Sequence, residues 1–380
     1  MSGKCINVPG LRTIFAGGGT GGHLFPAIAI ADELKKLDLG AEILFVGTKH
    51  KIEARVVPQC GYAFRTIWIS GLHRSFRIGN LLFPLKVIIS FMQARSIIKI
   101  FKPDVVVGTG GYVSGPVLRA AVMMDIPTLI QEQNSYPGIT TRMLANRVNE
   151  LHLTFESSKK YFSRKDHVFV SGNPTRNTLE NVDAAKAFVY FGFDRQENKK
   201  TLLIIGGSLG AHSINEAVQL HLDELIKKGF RILWQTGKEY FPEASTAAQN
   251  FSPNIISVFQ FIDRMDYAYT VADLVVCRAG ATTLAELTRL GKPAILVPYP
   301  HAAANHQVEN ARVMAESGAA EILYDAEVSE WLLQSVLNVS KDERLLGMSV
   351  QSRKLGKPNA AKEIAERVVH FAKHESLSLR

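Results

Sequence analysis

The residues best placed to do chemistry begin at Gly17, where Gly17-Gly18-Gly19-Thr20-Gly21-Gly22 runs directly into His23. Glycine lets the backbone turn tightly and lets a ligand approach the amides. If a helix starts at the end of such a loop, its unpaired N–H groups and dipole favour a negative group. A phosphate, a diphosphate or a developing negative charge is the natural occupant. Gly17-x-Gly19-x-x-Gly22 fits the dinucleotide fingerprint literally, but that pattern also needs an acid at the carboxyl end of the next strand. Glu42 stands at the opposite end of the run Glu42–Val46, and no Lys-Ser/Thr pair follows the glycines as a P-loop requires. His23 belongs to neither pattern.

Four further stretches share this character. Gly108-Thr109-Gly110-Gly111-Tyr112-Val113-Ser114-Gly115-Pro116 is a second glycine loop after an apolar run, and Gln131-Glu132-Gln133-Asn134 ends the next one. Gly206-Gly207-Ser208-Leu209-Gly210-Ala211 is a third loop, with a serine able to donate to a phosphate. Cys277-Arg278-Ala279-Gly280-Ala281-Thr282-Thr283-Leu284-Ala285-Glu286 reads as strand end, small-residue turn and helix start. Its amides can meet a phosphate. Glu286 falls one to two turns into that helix, either to take both hydroxyls of a ribose or simply to favour the dipole. His301 to Gln307 leaves another strand with Asn305, His306 and Gln307, but the two histidines lack a third ligand at metal spacing, so no metal site is expected.

These loops need strands and helices to hold them. Apolar runs near 13–16, 42–46, 64–68, 104–107, 127–131, 150–154 and 168–170 read as strands alternating with helices. A second series lies near 201–205, 231–235, 255–258, 273–277, 294–297 and 320–324. Alternation of this kind argues for parallel sheets covered on both faces. Gly172-Asn173-Pro174-Thr175 carries turn residues and marks a boundary. Each half opens with strand, glycine loop and helix, which predicts two similar domains with a cleft between them. Domains over 1–174 and 175–357 are expected, with a final helix over about 358–380 packing back on the first.

At 380 residues, 46% hydrophobic and 21% charged, the composition is that of an ordinary globular chain. No run of about 18 apolar residues predicts a membrane span. Met1 to Leu11 is polar, so no signal peptide is expected. Cys5, Cys60 and Cys277 give neither a disulfide framework nor zinc spacing, which fits a reducing compartment. The net charge of +9 is concentrated: from Ala54 to Pro103 there are eight Lys and Arg and no acid. Arg74, Arg77 and Lys86 in this stretch interleave with Leu81, Leu82, Phe83 and many other apolar residues. The pattern suits an anionic bilayer surface, and equally a core helix with solvated basic ends. Nucleic acid fits less well, since aliphatic residues stand where stacking aromatics would be needed.

Taken together, GGGTGGHLFPAIAIA, GTGGYVSGP, QEQN, GNPTR, GGSLGA, QFIDRM, CRAGATTLAE and NHQVENA resemble, in order, the MurG family of bacterial glycosyltransferases (glycosyltransferase family 28). The resemblance runs from Thr13 to about Val369. It implies the α/β GT-B fold, two Rossmann-like parallel-sheet domains separated by a cleft. It also implies a hexosyltransferase that carries N-acetylglucosamine from UDP-N-acetylglucosamine to polyprenyl-diphosphate-linked N-acetylmuramoyl-pentapeptide, with no cofactor and no metal. By the same resemblance, Thr20, Gly21, Gly22, Asn134 and Arg176 touch the donor, Ser208 its diphosphate, and Ile262 the uracil through its backbone. Ala281, Thr282, Thr283, Leu284, Ala285 and Glu286 cradle phosphate and ribose, and Gln307 meets the sugar. Gly18, Gly19, Gly110, Gly111 and Tyr112 form the proposed seat of the acceptor's diphosphate. Leu209 departs from the glutamine many members carry. The implied setting is the cytoplasmic face of the inner membrane, on anionic lipid and beside other cell-wall synthesis proteins, without nucleic acid.

The mechanism implied is a single inversion. The acceptor's C4 hydroxyl attacks the anomeric carbon opposite UDP, through an oxocarbenium-like transition state as in glycoside hydrolysis. Loop amides and a helix dipole absorb the charge on the leaving UDP. His23 is the candidate base, since a helix N-terminus keeps its ring neutral; the alternative is a ring that only packs or orients the loop. Two other classes stay open, an NAD-type oxidoreductase from the literal fingerprint and a non-catalytic, basic membrane or nucleic-acid binding protein.

Overall fold

The computed structural model describes residues 10–71, 82–195, 199–207, 209–302 and 305–378, without the side chains of 177 and 373–378. It resolves into two compact units, Met1–Arg176 with Pro358–Arg380, and Asn177–Lys357. Every strand expected from the apolar runs is present, displaced by at most three residues at an end.

In the first unit the chain runs β1 (Arg12–Gly17), α1 (Gly21–Leu37), β2 (Glu42–Gly47), α2 (Ile52–Gln59), β3 (Ala63–Thr66), α3 (Phe83–Phe101) and β4 (Val105–Gly110). It continues through α4 (Gly111–Val122), β5 (Thr128–Glu132), α5 (Ile139–Leu144), β6 (Glu150–Leu153) and β7 (Val168–Phe169). All the strands are parallel, in the order β3-β2-β1-β4-β5-β6-β7. The order reverses between β1 and β4, and open α/β sheets bind ligands outside the carboxyl ends of strands at such a point. The alternation of strand side chains explains the two faces. Ile14, Ala16 and Val106 face the core under α3, α4 and α5, while Phe15, Val105 and Val107 face the core under α1 and α2. Glycine extends β4 beyond the expected end at Val107. Gly108 pairs with Ala16 as strand, and a Cβ there would lie 2.4 Å from Leu118.

The second unit contains α6 (Ala184–Tyr190), β8 (Thr201–Ile205), α7 (His212–Lys227), β9 (Arg231–Gln235), α8 (Phe241–Ala248) and β10 (Ile256–Phe259). Then come α9 (Met265–Val271), β11 (Leu274–Cys277), α10 (Ala281–Leu290), β12 (Ala294–Leu296), α11 (His306–Glu316), β13 (Ala320–Ile322), α12 (Val328–Val339) and α13 (Asp342–Leu355). Its sheet is parallel, in the order β10-β9-β8-β11-β12-β13, with the reversal between β8 and β11. Each unit thus places two of the chemistry-bearing loops at its own switch point.

The last helix, α14 (Ala360–Ser378), returns to the first unit and packs along α1. Ile364, Ala365 and Val368 are fully buried there; an Ile or Val side chain so buried contributes roughly 1.5–3 kcal/mol. The helix is also tied electrostatically. Arg367 Nε donates to Glu150 Oε1 at 2.8 Å, and His152 Nε2 lies 3.1 Å from Glu150 Oε2. Burial pushes the Glu150 carboxyl upward, but the hydrogen bonds from His152 and Arg367 outweigh it and hold the group below its ordinary value. A depressed carboxyl stabilises the fold above its unfolded value of about 4.5, and that contribution is lost as pH falls through the lower, folded value. Glu150→Gln should therefore lower stability at pH 7 by about 1.5–3 kcal/mol. The decline of stability with acid below about pH 4.5 should also become shallower, as read by urea unfolding at a series of pH values.

Candidate functional site

At the switch point of the first sheet, the loops leaving β1 and β4 touch backbone to backbone. A Cβ on Gly111 would stand 2.3 Å from the carbonyl oxygen of Gly18, and Gly111 has φ +79°, so only glycine fits. Thr109 Oγ1 donates to the carbonyl of His23 at 2.8 Å, which ties β4 to the first turn of α1. The His23 ring is placed from both sides. Its Nδ1 is 3.1 Å from Thr20 Oγ1, and a Cβ on Gly110 would lie 3.1 Å from its Nε2 and 3.4 Å from Gln133 Oε1. The motif ends of β1, β4 and β5 therefore meet at one histidine.

Gln133 is buried and donates through Nε2 to the carbonyl of Thr109 at 2.7 Å. Buried Glu132 shapes the loop beyond, accepting from Gly138 N–H at 2.9 Å, Asn134 N–H at 3.1 Å and Thr141 Oγ1 at 2.6 Å. Asn134, expected at the donor, leans its amide on Glu132. Arg176 lies with its guanidinium 5.0 Å from the centre of the Phe25 ring.

Two of the residues expected to seat the acceptor's diphosphate, Gly19 and Gly110, donate their amides within the chain. Gly19 N–H donates to Glu53 Oε2 at 2.9 Å, and Gly18 has no room for a Cβ because the Glu53 carboxyl lies against it. Gly110 N–H donates to Ser114 Oγ at 2.9 Å. Of the five residues expected there, Gly111 and Tyr112 keep first-turn positions in α4, where amides lack a helical acceptor. The exposed Tyr112 ring covers Gly71 and approaches Gly19. The sequence gives Glu53 no evident role and marks Ser114 only as part of the second glycine loop. A carboxylate in the first turn after Gly47-Thr48, and a serine four residues beyond Gly110, were the available signals.

In the second unit, β11 delivers Ala281–Glu286 to the start of α10. Thr282 Oγ1 is buried with no hydrogen-bond partner among the described residues, an arrangement suited to an incoming phosphate oxygen. Glu286 is 8% exposed, and its Oε2 accepts from Tyr269 OH at 2.9 Å. Tyr269, on α9, was not foreseen; its register on a short helix became visible only when α9 packed beside α10. Ile262 is buried, and its N–H donates to Gln235 Oε1 at 2.9 Å. The same Gln235 donates through Nε2 to the carbonyl of Gly207 at 3.0 Å, bracing the third glycine loop against the Ile262 segment. Gln307 Oε1 accepts from Tyr299 N–H at 3.0 Å. Ser208 lies outside the described residues, and Leu209 is exposed. Asn310 anchors α11 by donating to the carbonyl of Ala279 at 3.2 Å. Among the described residues, no three His, Cys, Asp or Glu side chains gather as metal ligands.

Arg74, Arg77 and Leu81 of the basic stretch also lie outside the described residues. The adjoining α3 buries a narrow stripe, Ser90, Ala94 and Ile98, and exposes Leu85, Val87, Ile88, Met92 and Ile100, with Leu82 just before it; Phe83 is half-buried. This is not the pattern of a core helix. Lys86 Nζ donates to Ser70 Oγ at 3.0 Å and sits 5.6 Å from the centre of the exposed Trp68 ring. No helix among the described residues is long and apolar enough to cross a membrane.

Models of two family domains match the chain: the glycosyltransferase family 28 N-terminal domain over residues 13–152 and the family 28 C-terminal domain over residues 201–368. A Christiangramia forsetii protein is 42% identical over 360 residues, 94% of this chain and 97% of its own. A Prosthecochloris aestuarii protein is 44% identical over 376 residues, 95% of this chain and 99% of its own. Both are named UDP-N-acetylglucosamine--N-acetylmuramyl-(pentapeptide) pyrophosphoryl-undecaprenol N-acetylglucosamine transferase. Among solved structures, MurG of Acinetobacter baumannii superimposes with a TM-score of 0.75 at 29% identity, covering 95% of this chain and 99% of that one. The UDP-GlcNAc 2-epimerase of Neisseria meningitidis bound to UDP-GlcNAc, at 16% identity and a TM-score of 0.64 over 95% and 99% of the two chains, shares the fold.

Proposed function

The chain belongs to glycosyltransferase family 28, and from that premise we infer that it transfers N-acetylglucosamine from UDP-N-acetylglucosamine to the C4 hydroxyl of undecaprenyl-diphosphate-linked N-acetylmuramoyl-pentapeptide. The observation that carries the donor half is the start of α10. A buried carboxylate, Glu286, is held by Tyr269 one and a half turns below amides and a buried Thr282 hydroxyl that has no partner among the described residues. That spacing suits a ribose on the acid and a diphosphate on the helix N-terminus. The Ile262 carbonyl is suited to accept the N3–H of uracil. The fingerprint reading as an NAD enzyme loses its support, because β2 carries Glu42 at its first residue, away from the ligand end.

Chemistry at the first unit follows from His23. The acceptor hydroxyl attacks the anomeric carbon from the face opposite UDP, and the α-linked donor yields a β-linked product. His23 takes the hydroxyl proton. Thr20 Oγ1 beside Nδ1 sets the ring's orientation in the first turn of α1. Charge developing on UDP is met by amides and dipole at α10, which are already in place and need no reorganisation. The acceptor is lipid-linked, and the exposed apolar residues of α3 with Lys86, Arg95, Lys99 and Lys102 suit the surface of an anionic bilayer at its cytoplasmic face.

Three outcomes test this reading. Glu286→Ala should weaken UDP binding by about 1.5–3 kcal/mol in calorimetry, and unchanged affinity would remove it from the ribose site. His23→Ala should lower kcat by about 10²–10⁴ with UDP affinity retained, whereas turnover within a few-fold of the parent would make the ring structural. Lys86→Glu combined with Ile88→Glu and Met92→Glu should abolish co-sedimentation with anionic vesicles, at a cost of about 1 kcal/mol for the lost charge plus the apolar contacts. Activity on a short-chain, water-soluble acceptor should survive; undiminished vesicle binding would assign the face another role.

A further inference from the structure

Glu53 is a fully buried acid beside the reacting loop to which the mechanism above gives no part. It stands in the first turn of α2 with 0% exposure. Its Oε2 accepts from Gly19 N–H at 2.9 Å, and its Oε1 accepts from Thr48 N–H at 3.0 Å and from Thr48 Oγ1 at 2.7 Å. Every one of these partners donates, as a carboxylate requires. The carboxyl lies directly under the loop, since a Cβ on Gly18 would meet its carbon at 2.6 Å and both its oxygens within 2.9 Å. A Cβ on Gly47 would meet Glu53 Cγ at 2.5 Å, so the end of β2 is shaped around the same side chain.

This carboxylate takes a loop amide for which a bound anion would otherwise compete. A glycine loop leading into a helix N-terminus offers amides and a favourable dipole to negative charge. Here the amide of Gly19, at φ +86°, is already turned to Glu53. Thr20, the next residue, is the extended residue preceding α1, and its Oγ1 sits 3.1 Å from His23 Nδ1. A second anion on the loop would face a buried negative group at low effective dielectric, where like charges repel strongly.

We propose that Glu53 is a positioning residue of the first glycine loop. Its carboxylate holds the Gly19 amide, fixes that residue, and so sets Thr20 and His23 for reaction. The part concerning His23 rests on the reading of that residue as the base.

The test uses the full chain. Glu53→Gln keeps the shape but turns an amide N–H2 toward either Gly19 N–H or Thr48 N–H, while Glu53→Ala removes both acceptors. Thermal unfolding, UDP affinity by calorimetry, and kcat with donor and acceptor are measured for each, alone and combined with His23→Ala. We expect Glu53→Gln to bind UDP within twofold of the parent, at full stoichiometry, with kcat at least tenfold lower. Added to His23→Ala it should cost less than a further threefold, because residues acting as a unit are not additive. A general structural defect would instead multiply with the His23 loss. If Glu53→Ala does not fold, Glu53→Gln alone is read. Glu53→Gln with kcat within twofold of the parent, or losses that multiply in full, overturns the proposal. Should His23→Ala keep full turnover while Glu53→Gln falls tenfold at unchanged UDP affinity, the base assignment fails and Glu53 stands as the residue that sets the loop through Thr20.

Discussion

The constraint on which the first unit depends is the contact between two backbones that carry no side chains. Gly111 meets the carbonyl of Gly18 so closely that a methyl group on Gly111 has no place. This approach brings the carboxyl ends of β1 and β4 together at the switch point. It lets Thr109 reach the carbonyl of His23 and lets the His23 ring lie against Gly110. Close packing of this kind has few alternative arrangements, so the histidine inherits the rigidity of both strands. The glycines serve geometry first and amide donation second.

The two units solve the same topological problem with opposite electrostatics. In the second unit, loops again pack backbone to backbone, Gly210 against the carbonyl of Thr236 and Gly237 against that of Leu209. Gln235 then spans from Gly207 to Ile262 with one amide group, satisfying an acceptor and a donor without adding charge. The brace there is neutral, and the start of α10 keeps a buried hydroxyl without a partner among the described residues. In the first unit the brace is the carboxylate of Glu53. A neutral brace adds no charge beside the helix N-terminus, while an acidic brace sets a carboxylate next to the loop that precedes one.

Outside the loops, the first unit shows two ways of treating apolar surface. On α14 it is buried against α1 and locked by the Arg367–Glu150–His152 chain. On α3 it is left exposed beside Lys86 and Trp68. A large exposed apolar face on one helix marks an interaction surface in soluble folds, and basic neighbours narrow its chemistry to something anionic.

The alternation of apolar runs with glycine loops determined the parallel sheets, since strand runs buried on both faces and amphipathic helices are local signals. Motif order along the chain was likewise enough to place it in its family, and Glu286 and His23 stood out by their positions after strand ends. What the sequence could not determine was who partners whom. Glu53 reads as an ordinary first-turn acid until the parallel pairing of β1 and β2 brings α2 under the first loop. Tyr269 and Gln235 look like core residues until α9 and β9 take their places beside α10 and β8. Gly19 and Gly110 advertise free amides that the tertiary structure spends on Glu53 and Ser114. The cause is common to all of them. Secondary structure follows from periodicities of a few residues, whereas hydrogen-bond satisfaction across a switch point joins residues far apart in the chain, and only the packed sheet decides which donors remain for a ligand.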